Sequence, residues 1–221
     1  MDLYEALYTT RAMRRVRPDP VPMAVQERIL DAAIRAPSGG NAQHWRFLLV
    51  DDPAVKAQLG PLYRDALGRL WQTAYAGRLE RARATPDDQQ SASMLRVTAS
   101  AQHLADHFEQ VPLFLFGFAR ADRSGGSIFP AIWSAQLAAR ADGVGSALTS
   151  VLGAFHGPQT LRVLGVPPDQ DWVMACCVSF GYPTGRWGVA PRRPVHEVAY
   201  RNQWGADPGL RVPEPLWPPG S

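Results

Sequence analysis

Lysine is nearly missing from this 221-residue chain: Lys56 stands alone against twenty-two arginines. A GC-rich coding bias gives such a composition without any function, so only arginines clustered along the chain count as binding groups. Cysteine is scarce as well. Cys176 and Cys177 are adjacent in an apolar run, which suits neither a disulfide nor a metal site and reads as packing. No stretch reaches the roughly 20 apolar residues of a membrane span, and Met1-Asp2-Leu3-Tyr4-Glu5 has neither the basic nor the apolar region of a secretory leader. A cytoplasmic location without a membrane partner is therefore expected. Also missing are a Gly-x-Gly-x-x-Gly turn after the first strand, a Walker loop and a Gly-x-Ser-x-Gly elbow, so nucleotide-fold and hydrolase readings lack their motifs.

What is present suggests one domain over residues 1–221: the length and 46% hydrophobic content allow a single sizeable core. Helical spacing runs over 2–10, 23–36, 54–83, about 94–109, 131–142 and 158–164. Strand-like runs cover 45–50, 112–117 and 172–180. The polar stretch 84–93 reads as a loop, the wider region of about 84–126 as a mobile cap, and about 205–221 as a Pro-rich C-terminal extension that needs something to lie against. Long helices interleaved with about four to five short strands make an α+β fold, a central mostly antiparallel sheet surrounded by helices.

Three places could carry chemistry. Arg11, Arg14, Arg15 and Arg17 crowd into seven residues where the chain turns extended at Pro18, a pattern suited to phosphate and equally to a solvated basic face. The turn Pro37-Ser38-Gly39-Gly40-Asn41-Ala42-Gln43, between a helix and a strand, offers hydroxyl, amide and backbone N–H groups to the edge of a planar heterocycle. His103 and His107, four apart on a helix, resemble half of a zinc site, but the Glu of His-Glu-x-x-His and a third ligand are missing, so no metal is expected. Nucleic acid is disfavoured by a net charge of only +3 and by the lack of aromatics beside the arginines.

Taken in order, Thr10-Arg11-Ala12-Met13-Arg14-Arg15, Ala36-Pro37-Ser38-Gly39-Gly40-Asn41-Ala42-Gln43-His44-Trp45, the segment Pro130 to Ser146, Gly181-Tyr182-Pro183 and Arg192-Arg193-Pro194 resemble the FMN-dependent nitroreductase family across residues 5–205. The resemblance implies a domain-exchanged homodimer with FMN in the interface. It also implies a two-step cycle in which NADH or NADPH delivers hydride to flavin N5 and a nitroaromatic, quinone or similar small acceptor takes it up. Carried over by position, Arg11, Arg15 and Arg192 would hold the phosphate, with Ala12 and Met13 between the first two. Pro37, Ser38, Gly39, Asn41 and Gln43 would lie beside the ring and ribityl chain, and Thr149 and Ser150 near the reactive edge. No side chain is expected to act as a nucleophile. Two departures stand out: Ala12-Met13 replaces a hydroxyl-bearing pair, with Arg14 a substitute donor, and His44 replaces proline. An enone reductase or dehalogenase on the same scaffold, or a flavin-storing protein without turnover, are the alternatives.

Overall fold

The computed structural model describes residues 1–217, which fall into two compact units, Met1–Arg11 with the chain from Arg186 onward, and Ala12–Gly185. The smaller unit is built on α1 (Leu3–Thr9), whose N-terminus is capped by Asp2 accepting from Glu5 N at 2.7 Å. The C-terminal segment, poor in regular structure, lies along this helix. Ala190 N donates to the Tyr8 carbonyl, the Arg11 guanidinium donates to the Arg186 carbonyl at 3.1 Å, and the Tyr8 and Trp217 rings are 5.9 Å apart. The last four positions of the expected 205–221 extension lie outside the described residues.

The larger unit holds α2 (Met23–Ala33), β1 (Trp45–Val50), α3 (Pro53–Gln72), α4 (Ala76–Ala84), α5 (Gln89–Asp106), β2 (Leu113–Ala119), α6 (Ile128–Ala141), β3 (Gly145–Thr149), α7 (Val151–Val163) and β4 (Val173–Gly181). The four strands form one antiparallel sheet in the order β1-β2-β4-β3. Every residue of β2 is buried, and its alternation feeds two cores. Leu113 and Leu115 join Ile29 of α2 and Ile132 of α6, while Phe114 and Phe116 join Leu59 and Tyr63 of α3, Leu104 of α5 and Leu152 of α7.

The same period of two separates the cysteines. Cys176 enters the first core and Cys177 the second, so the two thiols cannot pair. Burial pushes the Cys176 thiol up to about 12 and Cys177 well above its ordinary value, leaving both as neutral packing groups. At the β2 bulge a Cβ on Gly117 would stand 3.0 Å from Ile132 Cδ1, which explains the missing side chain.

Three differences from the sequence reading have local causes. The expected 54–83 helix breaks after Gln72, where the Thr73 hydroxyl donates to the Arg69 carbonyl and competes with the backbone ladder. The expected loop 84–93 is shorter because Asp88 caps α5 by accepting from Ser91 N, so α5 starts at Gln89; within 84–126 lie this helix and the central strand β2. The short helix expected at 158–164 begins at Val151 and tolerates Pro158 through a kink at His156, φ −134°. β3, five residues beginning with a glycine, has no run strong enough to be seen in the sequence.

Candidate functional site

The segment after Thr10 is extended, and it is stitched into the larger unit by two short bridges, Ala12 to Ser146 of β3 and Val16 to Pro183. Met13 N donates to the Ser146 carbonyl at 2.8 Å, and the buried Met13 side chain packs where a Cβ on Gly145 would clash at 2.9 Å. Beside the inward Met13, Arg14 and Arg15 both line one cavity of about 250 Å³, together with His103, Leu104 and His107 of the α5 region.

Among the described residues no carboxylate lines that cavity. Arg14 is half-buried and has no acidic partner among the described residues; burial draws its guanidinium below its ordinary range, and nearby Tyr63 only partly offsets this. Arg15 Nη1 donates to His103 Nδ1 at 3.2 Å. An arginine has no acceptor to offer, so His103 must be neutral and protonated on Nε2. Desolvation, Arg15 and His107 all hold His103 below its usual pKa, with Asp106 opposing more weakly. His107 stacks on it, centroids 4.1 Å apart, and its Nδ1 bonds the His103 carbonyl at 2.9 Å. The pair, whose spacing resembles half a zinc site, is part of the wall of this pocket. Among the described residues no three His, Cys, Asp or Glu side chains gather to hold a metal.

The rest of the arginine cluster disperses. Arg17 faces the Tyr182 ring at 5.4 Å and pairs with Asp19. Arg11 belongs to the smaller unit together with Arg192, whose Nη1 donates to the Pro191 carbonyl at 2.9 Å. Both guanidiniums are bound to backbone carbonyls, and neither to a carboxylate among the described residues.

The turn after α2 makes a second cavity, about 360 Å³, sharing no residue with the first. Ser38, Gly39 and Gln43 line it, and Ser38 Oγ accepts from Gln43 N at 3.2 Å. Gly40, Asn41 and Gln43 all take positive φ, 58°, 53° and 51°, and Asn41 Oδ1 accepts from Gln43 Nε2 at 3.0 Å. Pro37 is exposed ahead of the turn. The opposite wall is the β2–α6 connection, with Arg120, Ala121, Asp122, Ser124 and Ser127. Nothing in the sequence marked Arg120, because the backbone bond from its N–H to the His44 carbonyl, a contact 76 positions back, is what brings it there.

Thr149 and Ser150 stand elsewhere, at the junction of β3 and α7. The Thr149 hydroxyl is bonded to buried Tyr63, whose own phenol burial pushes up to about 12, so the Thr149 side chain is engaged while Ser150 is exposed. The larger unit thus brings Arg15 to one cavity and Ser38, Gly39 and Gln43 to another, while Tyr63 links Thr149 to Arg14 of the first.

A family model described as the nitroreductase family matches residues 7–182, and the chain belongs to that family of flavoprotein oxidoreductases. Among its relatives, 5,6-dimethylbenzimidazole synthase of Rhodobacter capsulatus is 33% identical over 191 residues, 80% of this chain and 82% of the relative. The fold recurs in an oxidized iodotyrosine deiodinase bound to FMN and 3-iodo-L-tyrosine, with TM-score 0.70 and 20% identity over 91% of this chain and 99% of the other. It recurs also in an FMN-dependent nitroreductase from Mycobacterium smegmatis in complex with NADPH, with TM-score 0.65 and 23% identity over 91% and 100% of the two chains.

Proposed function

We propose that this chain is an FMN-dependent oxidoreductase that works as a homodimer, takes hydride from NADH or NADPH and passes it to a small electrophilic acceptor such as a nitroaromatic or quinone. The observation that carries the reading is the carboxylate-free cavity where Arg14 and Arg15 converge, in a chain whose residues 7–182 match the nitroreductase family. Guanidiniums without a carboxylate partner in a partly desolvated pocket suit an anionic cofactor. Bound FMN would supply the hydride chemistry, accepting from the nicotinamide and donating to the second substrate.

The chain's own residues then have positional and electrostatic roles. Arg15, aimed by neutral His103, and Arg14 stabilise negative charge in the first cavity. Arg11 and Arg192, both in the smaller unit, would serve the phosphate end, and Ala12 and Met13 fix the path of the chain leading to Arg15. Pro37, Ser38, Gly39, Asn41 and Gln43 present the left-handed turn to the ring, and Thr149 and Ser150 supply donors at its edge. The dimer is supported by α6. This helix is otherwise largely buried, yet Phe129 and Trp133, one turn apart, remain 42% and 40% exposed.

Purified protein should be yellow, and anaerobic mixing with NADPH or NADH should bleach the flavin band. A yellow protein that neither nucleotide bleaches would be a flavin-storing protein. A second reading, a specialised reaction on the same scaffold, is favoured by the 33% identity to a 5,6-dimethylbenzimidazole synthase and by 32% identity over 80 residues to rat iodotyrosine deiodinase 1. That stretch is 28% of the deiodinase. Mass spectrometry for 5,6-dimethylbenzimidazole, and for dehalogenated iodotyrosine, beside a panel of nitroaromatics and quinones, separates the two readings.

A further inference from the structure

Two arginines that the flavin reading leaves idle meet on one ring. The Arg46 guanidinium carbon lies 4.8 Å from the centroid of Trp172, and that of Arg120 lies 5.1 Å from the same ring. Sheet register explains the meeting. Alternation along β1, β2 and β4 puts Arg46 in line with Leu48 and Val50, Arg120 with Phe118, and Trp172 with Met174. The three therefore stand at the end of the sheet face that carries the second core. Both arginines are exposed, whereas Trp172 is half-buried, packed against that core and donating to Gln170 Oε1 at 3.1 Å.

An indole so fixed restrains a guanidinium while leaving its in-plane N–H donors for a ligand. Among the described residues Arg46 donates from Nη1, to the Trp45 carbonyl at 2.7 Å, and the Arg120 guanidinium has no acceptor. Nor does a carboxylate answer either charge among the described residues. Asp169 and Asp171, close to Trp172 in the chain, form no ion pair with them, and Asp122 Oδ2 accepts from Ser127 N and Ile128 N at 3.1 and 2.9 Å. Two like charges gathered on one ring repel, and a doubly charged anion relieves this better than a singly charged one. A phosphomonoester is such an anion, with oxygens that suit the planar fork of arginine.

We infer that Arg46 and Arg120, held by Trp172, bind the phosphomonoester of a phosphorylated dinucleotide, the 2′-phosphate that distinguishes NADPH from NADH. The inference deepens the oxidoreductase reading by choosing its hydride donor, and it rests on that reading for the nicotinamide half. The position fits. Arg120 N donates to the His44 carbonyl at 3.1 Å, and the preceding Gln43 belongs to the turn assigned to the flavin ring. A dinucleotide with its nicotinamide at that turn is long enough to bring its adenosine ribose to the two arginines.

Calorimetric titration of the purified protein with 2′,5′-ADP and, separately, with 5′-AMP at constant ionic strength tests this, since the two differ in the 2′-phosphate alone. The first should bind at least about tenfold more tightly. Arg46→Gln and Arg120→Gln should each remove most of that preference while leaving 5′-AMP as it was, and Arg120→Lys, which keeps the charge without the planar fork, should retain part of it. Equal affinity for both nucleotides, binding of neither, or a preference that survives both glutamine substitutions overturns the inference. So does inorganic phosphate binding as tightly as 2′,5′-ADP, which would make the site one for free phosphate. Anaerobic bleaching of the flavin band reports separately: failure with both NADPH and NADH strikes the oxidoreductase reading, whereas NADH bleaching as readily as NADPH strikes only the choice of donor.

Discussion

The two cavities of the larger unit are made differently. The first is walled by regular structure and core: Leu104 and Val111 belong to the hydrophobic cluster behind the sheet, and the arginines reach it from a strand pinned to β3. The second is walled by two loops that hold non-glycine residues in left-handed conformation, Asn41 and Gln43 on one side and Ala121 on the other. Charge follows the same division. Among the described residues no carboxylate lines the first cavity beside its two guanidiniums and two imidazoles, whereas in the second Arg120 and Asp122 both line the wall, with Asp122 Oδ2 accepting from two amides at the start of α6. A pocket of fixed charge on a rigid wall suits a resident group that is retained through many turnovers. A strained loop pocket suits a ligand that comes and goes.

The comparison can be broken from the core outward. Leu104→Ala removes a side chain that is 1% exposed and shared by core and first cavity; a loss of about 2–5 kcal/mol in urea denaturation is expected. Arg15→Ala should weaken FMN retention by about 1.5–3 kcal/mol, measured by flavin release on dilution, and a variant that copurifies with full flavin would remove Arg15 from the site. Asp122→Ala strips two α6 amides of their acceptor and should cost about 1 kcal/mol of stability, felt in the second cavity and not the first.

Acid should act on the first cavity. His103 is held below its ordinary pKa when folded, so the unfolded chain binds its proton first. The stability that this adds is complete above the unfolded value near 6.5 and declines as pH falls below it. His103→Gln should therefore flatten the pH dependence of Tm between about pH 5 and 7. The smallest effect is expected at Ala121→Gly, where relief of the left-handed strain is largely offset by the flexibility of glycine and the gain stays under about 1 kcal/mol.

Much of this was legible in the chain. Trp45 to Val50 reads as a strand and is one over the same residues, and the near-continuous apolar run around Leu113 to Gly117 announces a central strand with both faces covered. The turn at 37–43 is visible because glycine and asparagine accept positive φ and because proline and serine favour turns. By contrast, His103 and His107 show their spacing but not their partner, and the i, i+4 pattern alone suggests a metal as readily as an arginine.

Local sequence determined which segments are helix, strand and turn, because hydrophobic period and capping residues act within a few positions. Tertiary structure alone decided that Arg15 meets His103, 88 residues away, and that Arg120 stacks on Trp172. Those pairings depend on the register of β1, β2 and β4, and register is set by how whole faces of the sheet bury against α2, α6 and the helices behind them, a sum over the core that no short stretch of residues contains.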